Sequence, residues 1–412
     1  MNKNSKNIFI KNFTNLSLNQ GVNILLAIVI TPILYQNLGQ ADFGLVSLYF
    51  SVITILNIIV SYGFHLNGPK RIAIVKSNYN KVQSLVSDIL SLRIIIALVL
   101  LILIFFSGYY FEWTYKHKSI FLFSLICLFR EALIPDFFLQ GIDNLFYAAL
   151  NNFFSKCIYF LLVILFVKSP EESYLVNFYF GVSSVFVYLI FWIFLFIRKK
   201  INVLKFSLQN ICKNLIKNFK FFLSSVAGHL SIHSSLIILS NFINEVELGQ
   251  FALAHRVVFL LRLVPTFFVQ SILQRVSILN NKKLIIKNFI QKYYLMGLLL
   301  TLIMAIIVIL FSKYIIYILS GEIVDLSIKL LYILCLIPFL AMLNFKNIIF
   351  ILVNELQDVL FKASYVSSLF TIIFLIIGSL CYGSIGISIS LLFSEIITFV
   401  TFSIFLKKYE KE

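Results

Sequence analysis

The chain has 412 residues, of which 60% are hydrophobic and only 12% are charged, and its formal net charge is +17. Soluble domains average roughly 45–50% apolar and about 25% charged residues, so this composition excludes a soluble globular protein and indicates a membrane protein. It also leaves almost no room for a soluble catalytic domain.

Twelve apolar stretches follow one another along the chain, and each is close to the roughly 20 residues that a helix needs to cross the hydrocarbon core. The pattern therefore predicts an all-α membrane protein with about twelve transmembrane helices. The predicted spans are 13–35, 43–63, 88–108, 120–140, 150–168, 175–197, 221–243, 249–272, 293–312, 327–347, 361–380 and 385–406.

The first span carries asparagines at spacings of three and four, namely Asn12, Asn15, Asn19 and Asn23. That spacing places them on one face of a helix. A polar stripe in a membrane helix either lines a hydrated cavity or bonds to neighbouring helices. Both interpretations are open for Asn19 and Asn23, and the first would make them ligands for a polar substrate.

Arg130 lies at the middle of the fourth span, next to Glu131. Neighbouring residues on a helix point about 100° apart, so this pair is not expected to neutralise itself. Ionisable groups at this depth cost about 2.5–3.5 kcal/mol each on insertion scales and usually face a cavity or a partner. Arg130 is therefore a candidate substrate-binding residue.

Spans seven and eight contribute further polar groups: His229 and His233 at i and i+4, then His255, Arg256 and Arg262. His255 and Arg262 share a helix face near mid-membrane. HxxxH spacing can bind a metal, but no carboxylate or thiolate nearby supports one, so we expect no metal. The pattern favours a hydrated cationic cavity that binds substrate, with histidines that only bond to neighbouring helices as the alternative.

Glu395 lies near the centre of the last span. A buried carboxylate can carry a proton, which makes this residue a candidate for coupling transport to an ion gradient. Pairing with a neighbouring arginine is the other interpretation. The sequence alone does not choose between the two.

Lysine and arginine collect in cytoplasmic loops of membrane proteins. The predicted inner segments, among them the stretch from Lys70 to Arg93, the single Lys156 and the region 198–220, hold most of these residues. We therefore predict that both termini are cytoplasmic, and we attribute the net charge to membrane orientation and anionic headgroups rather than to nucleic acid. The predicted outer loops hold only Lys116, Lys118, Lys168 and Lys313.

Short matches between the two halves indicate an internal duplication. Phe43-Gly44 and Leu248-Gly249 begin spans two and eight, and Leu133-Ile134-Pro135 and Leu336-Ile337-Pro338 lie in spans four and ten. Ordered matches at equivalent positions are typical of a repeat.

The duplication divides the chain into three parts. We predict an N-terminal six-helix bundle over 1–197 and a C-terminal six-helix bundle over 221–412. Between them, residues 198–220 present apolar side chains on one helical face and lysines on the other. That segment is predicted to be a basic amphipathic connector on the cytoplasmic membrane surface.

Three stretches carry a resemblance to a known family: Asn37 to Leu45 (NLGQADFGL), Pro135 to Asp143 (PDFFLQGID) and Val246 to Ala252 (VELGQFA). Together with the twelve spans they resemble the O-antigen (Wzx-type) flippases of the multidrug, oligosaccharidyl-lipid and polysaccharide exporter superfamily. The resemblance covers essentially the whole chain.

That resemblance implies a MATE-like fold in which two six-helix bundles form a V-shaped cleft. It implies a flippase of the cell inner (plasma) membrane that moves a polyprenyl-diphosphate-linked oligosaccharide to the outer leaflet by alternating access. Arg262, Arg256 and Arg130 would hold the diphosphate, and Glu395 or the histidines would couple transport to an ion. Other polysaccharide-assembly membrane proteins are further candidate partners.

Two other classes of protein are alternatives. A multidrug or cation exporter of the same fold is the nearest alternative. An integral membrane glycan polymerase or acyltransferase is the second, but the sequence contains no nucleophile–base pairing at usable spacing, no phosphate-cradling glycine loop and no cluster of metal ligands. We therefore expect that the protein is not an enzyme and needs no cofactor.

Overall fold

The computed structural model describes residues 3–110, 118–198, 208–276, 283–354 and 356–411, with side chains from Gly21 onward except at 108–110, 208–212, 231, 270–271, 273–276, 283–289 and 410–411. Every regular element in these ranges is helical. The α-helices are α1 (Lys3–Ser61), α2 (Phe64–Val75), α3 (Tyr79–Tyr110), α4 (Lys118–Ser124), α5 (Ile126–Leu133), α6 (Asp136–Gly141), α7 (Leu145–Phe166), α8 (Ser173–Ile197), α9 (Leu208–Leu239), α10 (Glu245–Val276), α11 (Lys283–Ser320), α12 (Asp325–Leu334), α13 (Ile337–Leu343), α14 (Phe345–Val353) and α15 (Gln357–Lys411), and a 3₁₀ turn covers Pro170–Glu172.

Eight segments of the described chain are long and apolar enough to cross a membrane, or nine if the bent α9 counts as one span. Large apolar side chains are exposed along them; Ile102 is 62% and Leu310 is 72% accessible. Apolar surface of this extent is typical of helices that face lipid. The protein is a multi-pass, all-α membrane protein, as predicted, and each predicted span coincides with helical residues over most of its length.

Two of the longest helices contain a break. In α1, Gly39 has φ 73° and ψ 176°, and in α15, Tyr382 and Gly383 leave the helical region, with φ 53° at Gly383. A positive φ is accessible to glycine without a steric penalty. Each break falls between two predicted spans, which explains how one continuous element holds both.

Both Leu-Ile-Pro stretches lie at helix breaks. Ile134 adopts an extended ψ of 123° between α5 and α6, because a residue that precedes proline disfavours the α region. Pro338 occupies the first turn of α13, where its missing N–H costs nothing. Pro32 and Pro265, by contrast, lie inside α1 and α10.

The chain divides into two compact units. Unit 1 contains Met1–Leu38 and Tyr49–Val226, and unit 2 contains Gly39–Leu48 and Ala227–Glu412. The predicted bundle boundaries at 197 and 221 stay a prediction. Part of the predicted connector, 199–207, lies outside the described residues.

Unit 1 has an apolar core between α2, α3, α6, α7 and α8. Phe64, Ile72 and Val86 are fully buried there, together with Phe137 and Trp192. The indole Nε1 of Trp192 donates a 2.7 Å hydrogen bond to the carbonyl of Leu133 at the end of α5. This bond satisfies a buried donor and fixes the break that precedes α6.

In unit 2, the segment Gly39–Leu48 packs backbone to backbone on the start of α10. A Cβ on Gly249 would lie 1.8 Å from the carbonyl oxygen of Gln40, and a Cβ on Gly44 would lie 2.6 Å from the nitrogen of Gly249. Gln250 Nε2 also donates a 2.6 Å bond to Gln40 Oε1. Small residues permit this approach, and they are the glycines of the predicted repeat.

Candidate functional site

A close ion pair of unit 2 joins α10 to α15. Nη2 of Arg262 donates to Oε1 of Glu395 at 2.6 Å, and the side chains are 28% and 7% exposed. Of the two interpretations of Glu395, pairing with an arginine is therefore the one that the structure contains. Arg262 nevertheless keeps over a quarter of its surface exposed, so the pair does not bury it completely.

Two histidines, His233 of α9 and His255 of α10, interact electrostatically with this arginine. The rings of His229 and His233 stack at 5.8 Å with an interplanar angle of 12°, and His255 stacks on Phe251 at 5.6 Å. His233 interacts electrostatically with His229, His255 and Arg262. Four of the predicted site residues are thus brought together in unit 2.

No group of three or more His, Cys, Asp or Glu side chains in the described ranges has the arrangement of a metal site. The expectation that these histidines bind substrate rather than a metal stays a prediction.

Arg256 lies on a different side of α10 from Arg262. Its guanidinium carbon lies 5.9 Å from the ring centroid of Phe43, in the segment that packs on the start of α10. This distance is within the range of a cation–π contact. The two arginines of α10 therefore contact different neighbours, α15 for Arg262 and residue 43 of α1 for Arg256.

In unit 1, Glu131 is paired with Arg93 of α3. Nη2 of Arg93 lies 2.9 Å from Oε1 of Glu131, and Nη1 donates to the carbonyl of Ile134 at 3.3 Å. Arg93 is 2% exposed. The sequence analysis counted Arg93 among the inner-segment charges and missed it as a buried group, although it falls inside the third predicted span.

Arg130 lies farther from Glu131, with an N–O distance of 3.7 Å, and is 19% exposed. Its guanidinium carbon lies 4.8 Å from the ring centroid of Phe180 on α8. Nζ of Lys156 on α7 lies 4.0 Å from the same centroid. Lys156, which was also counted as an inner-side charge, is therefore a second cation beside Arg130, and its position inside the fifth span was the signal for it.

Asn23 bonds one helix to another. Nδ2 of Asn152 on α7 donates to Oδ1 of Asn23 on α1 at 3.1 Å. Of the two interpretations of the asparagine stripe, helix bonding therefore applies to Asn23, and a role in binding substrate stays a prediction. The side chain of Asn19 lies outside the described residues.

Comparison with known proteins places these features in a family. The sequence matches the family described as "Polysaccharide biosynthesis protein" over residues 9–278. It is similar to a "Putative O-antigen transporter" of Escherichia coli (strain K12), 23% identical over 70% of both chains. It is also similar to a protein of that name from Shigella dysenteriae, 26% identical over 60% of this chain and 62% of the relative.

Solved structures share the fold. An inward-facing multidrug resistance MATE family transporter of the MOP superfamily superposes with a TM-score of 0.75 at 14% identity, over 97% of this chain and 99% of that one. The lipid II flippase MurJ, in an inward closed conformation, superposes with a TM-score of 0.73 at 17% identity, over 95% and 87%. At these identities the likeness shows a common fold.

Proposed function

We propose, because this chain belongs to the polysaccharide biosynthesis protein family, that it is a flippase for a polyprenyl-diphosphate-linked oligosaccharide, an O-unit or a similar surface-polysaccharide repeat. The observation that carries the proposal is the family match over residues 9–278. Both relatives are named as O-antigen transporters and not as enzymes, and these names support the same class of function.

The cations within the membrane-spanning helices supply a physical reason for such a substrate. A diphosphate is a dense anion, and the guanidinium fork of arginine pairs well with phosphate oxygens. Arg262 and Arg256 in unit 2 and Arg130 in unit 1 are the proposed contacts. A substrate anion offsets the cost of holding these charges in a membrane protein.

The pair between Arg262 and Glu395 suggests how binding is coupled to an ion. Both Glu395 and a substrate phosphate are acceptors for the same guanidinium, so they compete for its donors. A proton or a metal cation that neutralises Glu395 would release Arg262 to the phosphate. Loading of the substrate and of the coupling ion would then favour each other.

The proposed function also implies a location in the cell. We infer the inner (plasma) membrane, with both termini cytoplasmic, because basic residues concentrate in the predicted inner segments. The substrate is made on the cytoplasmic leaflet and is needed on the outer one. Membrane proteins of polysaccharide assembly on the outer side are the proposed partners.

The test is deletion of the gene followed by localisation of the lipid-linked oligosaccharide. We expect it to accumulate on the cytoplasmic leaflet, out of reach of a membrane-impermeant lectin or oxidant, and surface polysaccharide to be lost. Normal surface polysaccharide, or accumulation on the outer leaflet, would refute the flippase. Loss of drug resistance with normal polysaccharide would indicate an exporter.

Complementation of the deletion strain with variants then tests the role of Arg262. Arg262→Ala, at wild-type abundance in the membrane, should fail to restore surface polysaccharide. Lys329→Ala is the matched control, because Lys329 is also a cation within a predicted span but is exposed on α12. Full restoration by Arg262→Ala would remove Arg262 from the substrate site.

A further inference from the structure

In unit 1, the first half of α9 lies beside α2. Nη2 of Arg71 donates a 2.7 Å hydrogen bond to Oδ1 of Asn214, and Nδ2 of Asn67 donates a 2.8 Å bond to Oδ1 of Asn218. The later residue of α2 meets the earlier residue of α9, so the two helices run antiparallel. These polar contacts form a seam along the side that the helices share.

Both helices turn a second side to the apolar core of unit 1. Phe64 and Ile72 of α2 are fully buried in that core, and Leu215 of α9 packs against it. On each helix the core side adjoins the seam side. Two antiparallel helices that share both a core and a seam also point their remaining sides in one direction, away from the core. We call this combined surface the α2–α9 face.

The α2–α9 face carries large apolar side chains and lysines together. Ile74 of α2 is 72% exposed and Ile216 of α9 is 78% exposed. The exposed lysines of the two helices are Lys70, Lys213, Lys217 and Lys220. Lys213 and Lys220 lie three residues before and four residues after Ile216, which makes them its neighbours on the helix surface.

This mixture of side chains indicates which surroundings the face fits. An exposed isoleucine is unfavourable in water, and a lysine is unfavourable within hydrocarbon. Both are accommodated at the headgroup level of a bilayer, where apolar side chains reach acyl chains and ammonium groups reach phosphates. The cores of protein–protein interfaces, by contrast, are depleted of lysine. The face therefore fits a lipid surface better than a protein partner.

The charge of the face favours anionic lipid over zwitterionic lipid. Neither α2 nor the stretch 208–226 contains an aspartate or a glutamate. The nearby Asp88 of α3 is buried and interacts with Arg71, at the seam. Basic residues at a membrane surface attract anionic headgroups, so the lysines of this face have complementary partners in an anionic leaflet.

We propose that the α2–α9 face binds anionic phospholipid. Lys213 and Lys217 pair with headgroup phosphates, and Ile74 and Ile216 contact the acyl chains. With the predicted orientation, the lipid belongs to the cytoplasmic leaflet. The inference goes beyond the proposed function and does not depend on it, because it concerns the lipid around the protein and not the transported substrate.

The direct test is native mass spectrometry of the full-length protein in detergent with equal amounts of phosphatidylglycerol and phosphatidylcholine. The wild type should retain phosphatidylglycerol in preference. Lys213→Gln/Lys217→Gln should lower this preference about 25-fold, because each lysine near an anionic surface contributes about fivefold in affinity. An unchanged preference in the double variant would overturn the proposal.

The matched control is Lys118→Gln/Lys168→Gln. It removes two lysines that are also exposed in unit 1 but lie outside the α2–α9 face. The preference for phosphatidylglycerol should equal that of the wild type. An equal loss in this control would show that lipid selection follows net charge alone, and a binding face at α2 and α9 would be refuted.

A second pair of substitutions tests the apolar part of the face. Ile74→Ser/Ile216→Ser should reduce the amount of phosphatidylglycerol retained, because contact with the acyl chains is lost. The preference over phosphatidylcholine should persist, since the lysines remain. Undiminished retention would contradict the predicted contact between the isoleucines and lipid.

A competition experiment separates phospholipid from a lipid-linked diphosphate, which also presents phosphate to lysine. Farnesyl diphosphate, added at the concentration of phosphatidylglycerol, should leave the retained phospholipid in place. Displacement that depends on Lys213 and Lys217 would make the face a site for a diphosphate lipid, and the assignment to phospholipid would then be wrong.

Discussion

Glu395 accepts a 2.6 Å hydrogen bond from Arg262, so the carboxylate of α15 and the guanidinium of α10 neutralise each other within unit 2. Glu395 is 7% exposed and Arg262 is 28% exposed. The carboxylate is therefore largely shielded, whereas the guanidinium is more accessible. This asymmetry determines what removal of either partner should do.

Removal of Arg262 alone should destabilise the protein. Arg262→Met leaves Glu395 buried without its partner, which costs about 3–5 kcal/mol when a pair is fully buried and less here because Arg262 is partly exposed. The double variant Arg262→Met/Glu395→Met should recover most of the lost thermal stability, measured as the unfolding midpoint in detergent.

The control for this cycle is a surface pair. Lys76 and Asp143 lie 2.8 Å apart, but both are more than half exposed, and such pairs contribute only about 0–1 kcal/mol. Lys76→Met should therefore leave the midpoint nearly unchanged. A double variant no more stable than Arg262→Met would contradict the prediction.

Gly249→Ala should disrupt the start of α10. The new Cβ would lie 1.8 Å from the carbonyl oxygen of Gln40, and backbone atoms cannot yield as a flexible side chain does. We expect a strong loss of folded protein in the membrane, measured by fluorescence-detected size exclusion. Gly228→Ala is the control, because its Cβ meets no heavy atom within 4 Å. Equal yields of both variants would refute the close contact.

Asn218 should stabilise the attachment of α9 to α2. It accepts a 2.8 Å bond from Nδ2 of Asn67 and donates a 3.3 Å bond to the carbonyl of Tyr62. Asn218→Leu should lower stability by about 1–3 kcal/mol, because Asn67 is left unsatisfied. Asn241→Leu is the comparison, since Asn241 lies just after α9 and makes only exposed local bonds to the carbonyls of Ile237 and Ile238. A smaller loss for Asn218→Leu than for Asn241→Leu would argue against the prediction.

The predicted orientation can be tested by labelling single cysteines. In a chain whose five native cysteines are replaced by serine, Glu171→Cys should react with a membrane-impermeant maleimide in intact cells. Lys217→Cys should react only after the membrane is opened, because basic segments remain cytoplasmic. The reverse pattern would invert the topology.

The fold class was predictable because the apolar run length needed to cross lipid is a strong constraint. Arg130, Arg262 and Glu395 were found for the same reason, since an ionisable residue in the middle of an apolar run is conspicuous. Arg93 was not found, because it lies near one end of its predicted span. From the sequence, a basic residue at that position is indistinguishable from one in a loop. Only the structure shows that the helix already begins at Tyr79.

The sequence did not predict which residues contact each other across helices. Spacing places Arg262 near mid-membrane, but only packing of α10 against α15 brings it to Glu395. Likewise Gly44 and Gly249 were matched as repeat positions, and nothing in their spacing indicated that they contact each other. Periodicity gives the face of a helix but not the neighbour of that face.

The assignment of Gly39–Leu48 to unit 2 means that the polypeptide passes from one unit to the other after Leu38, after Leu48 and after Val226. A gene cut after Ile197 would therefore encode two fragments, and the second would lack the piece that covers Gly249 and supplies Phe43 to Arg256. We therefore expect the second fragment to need residues 39–48, supplied by the first fragment, in order to cover the start of α10.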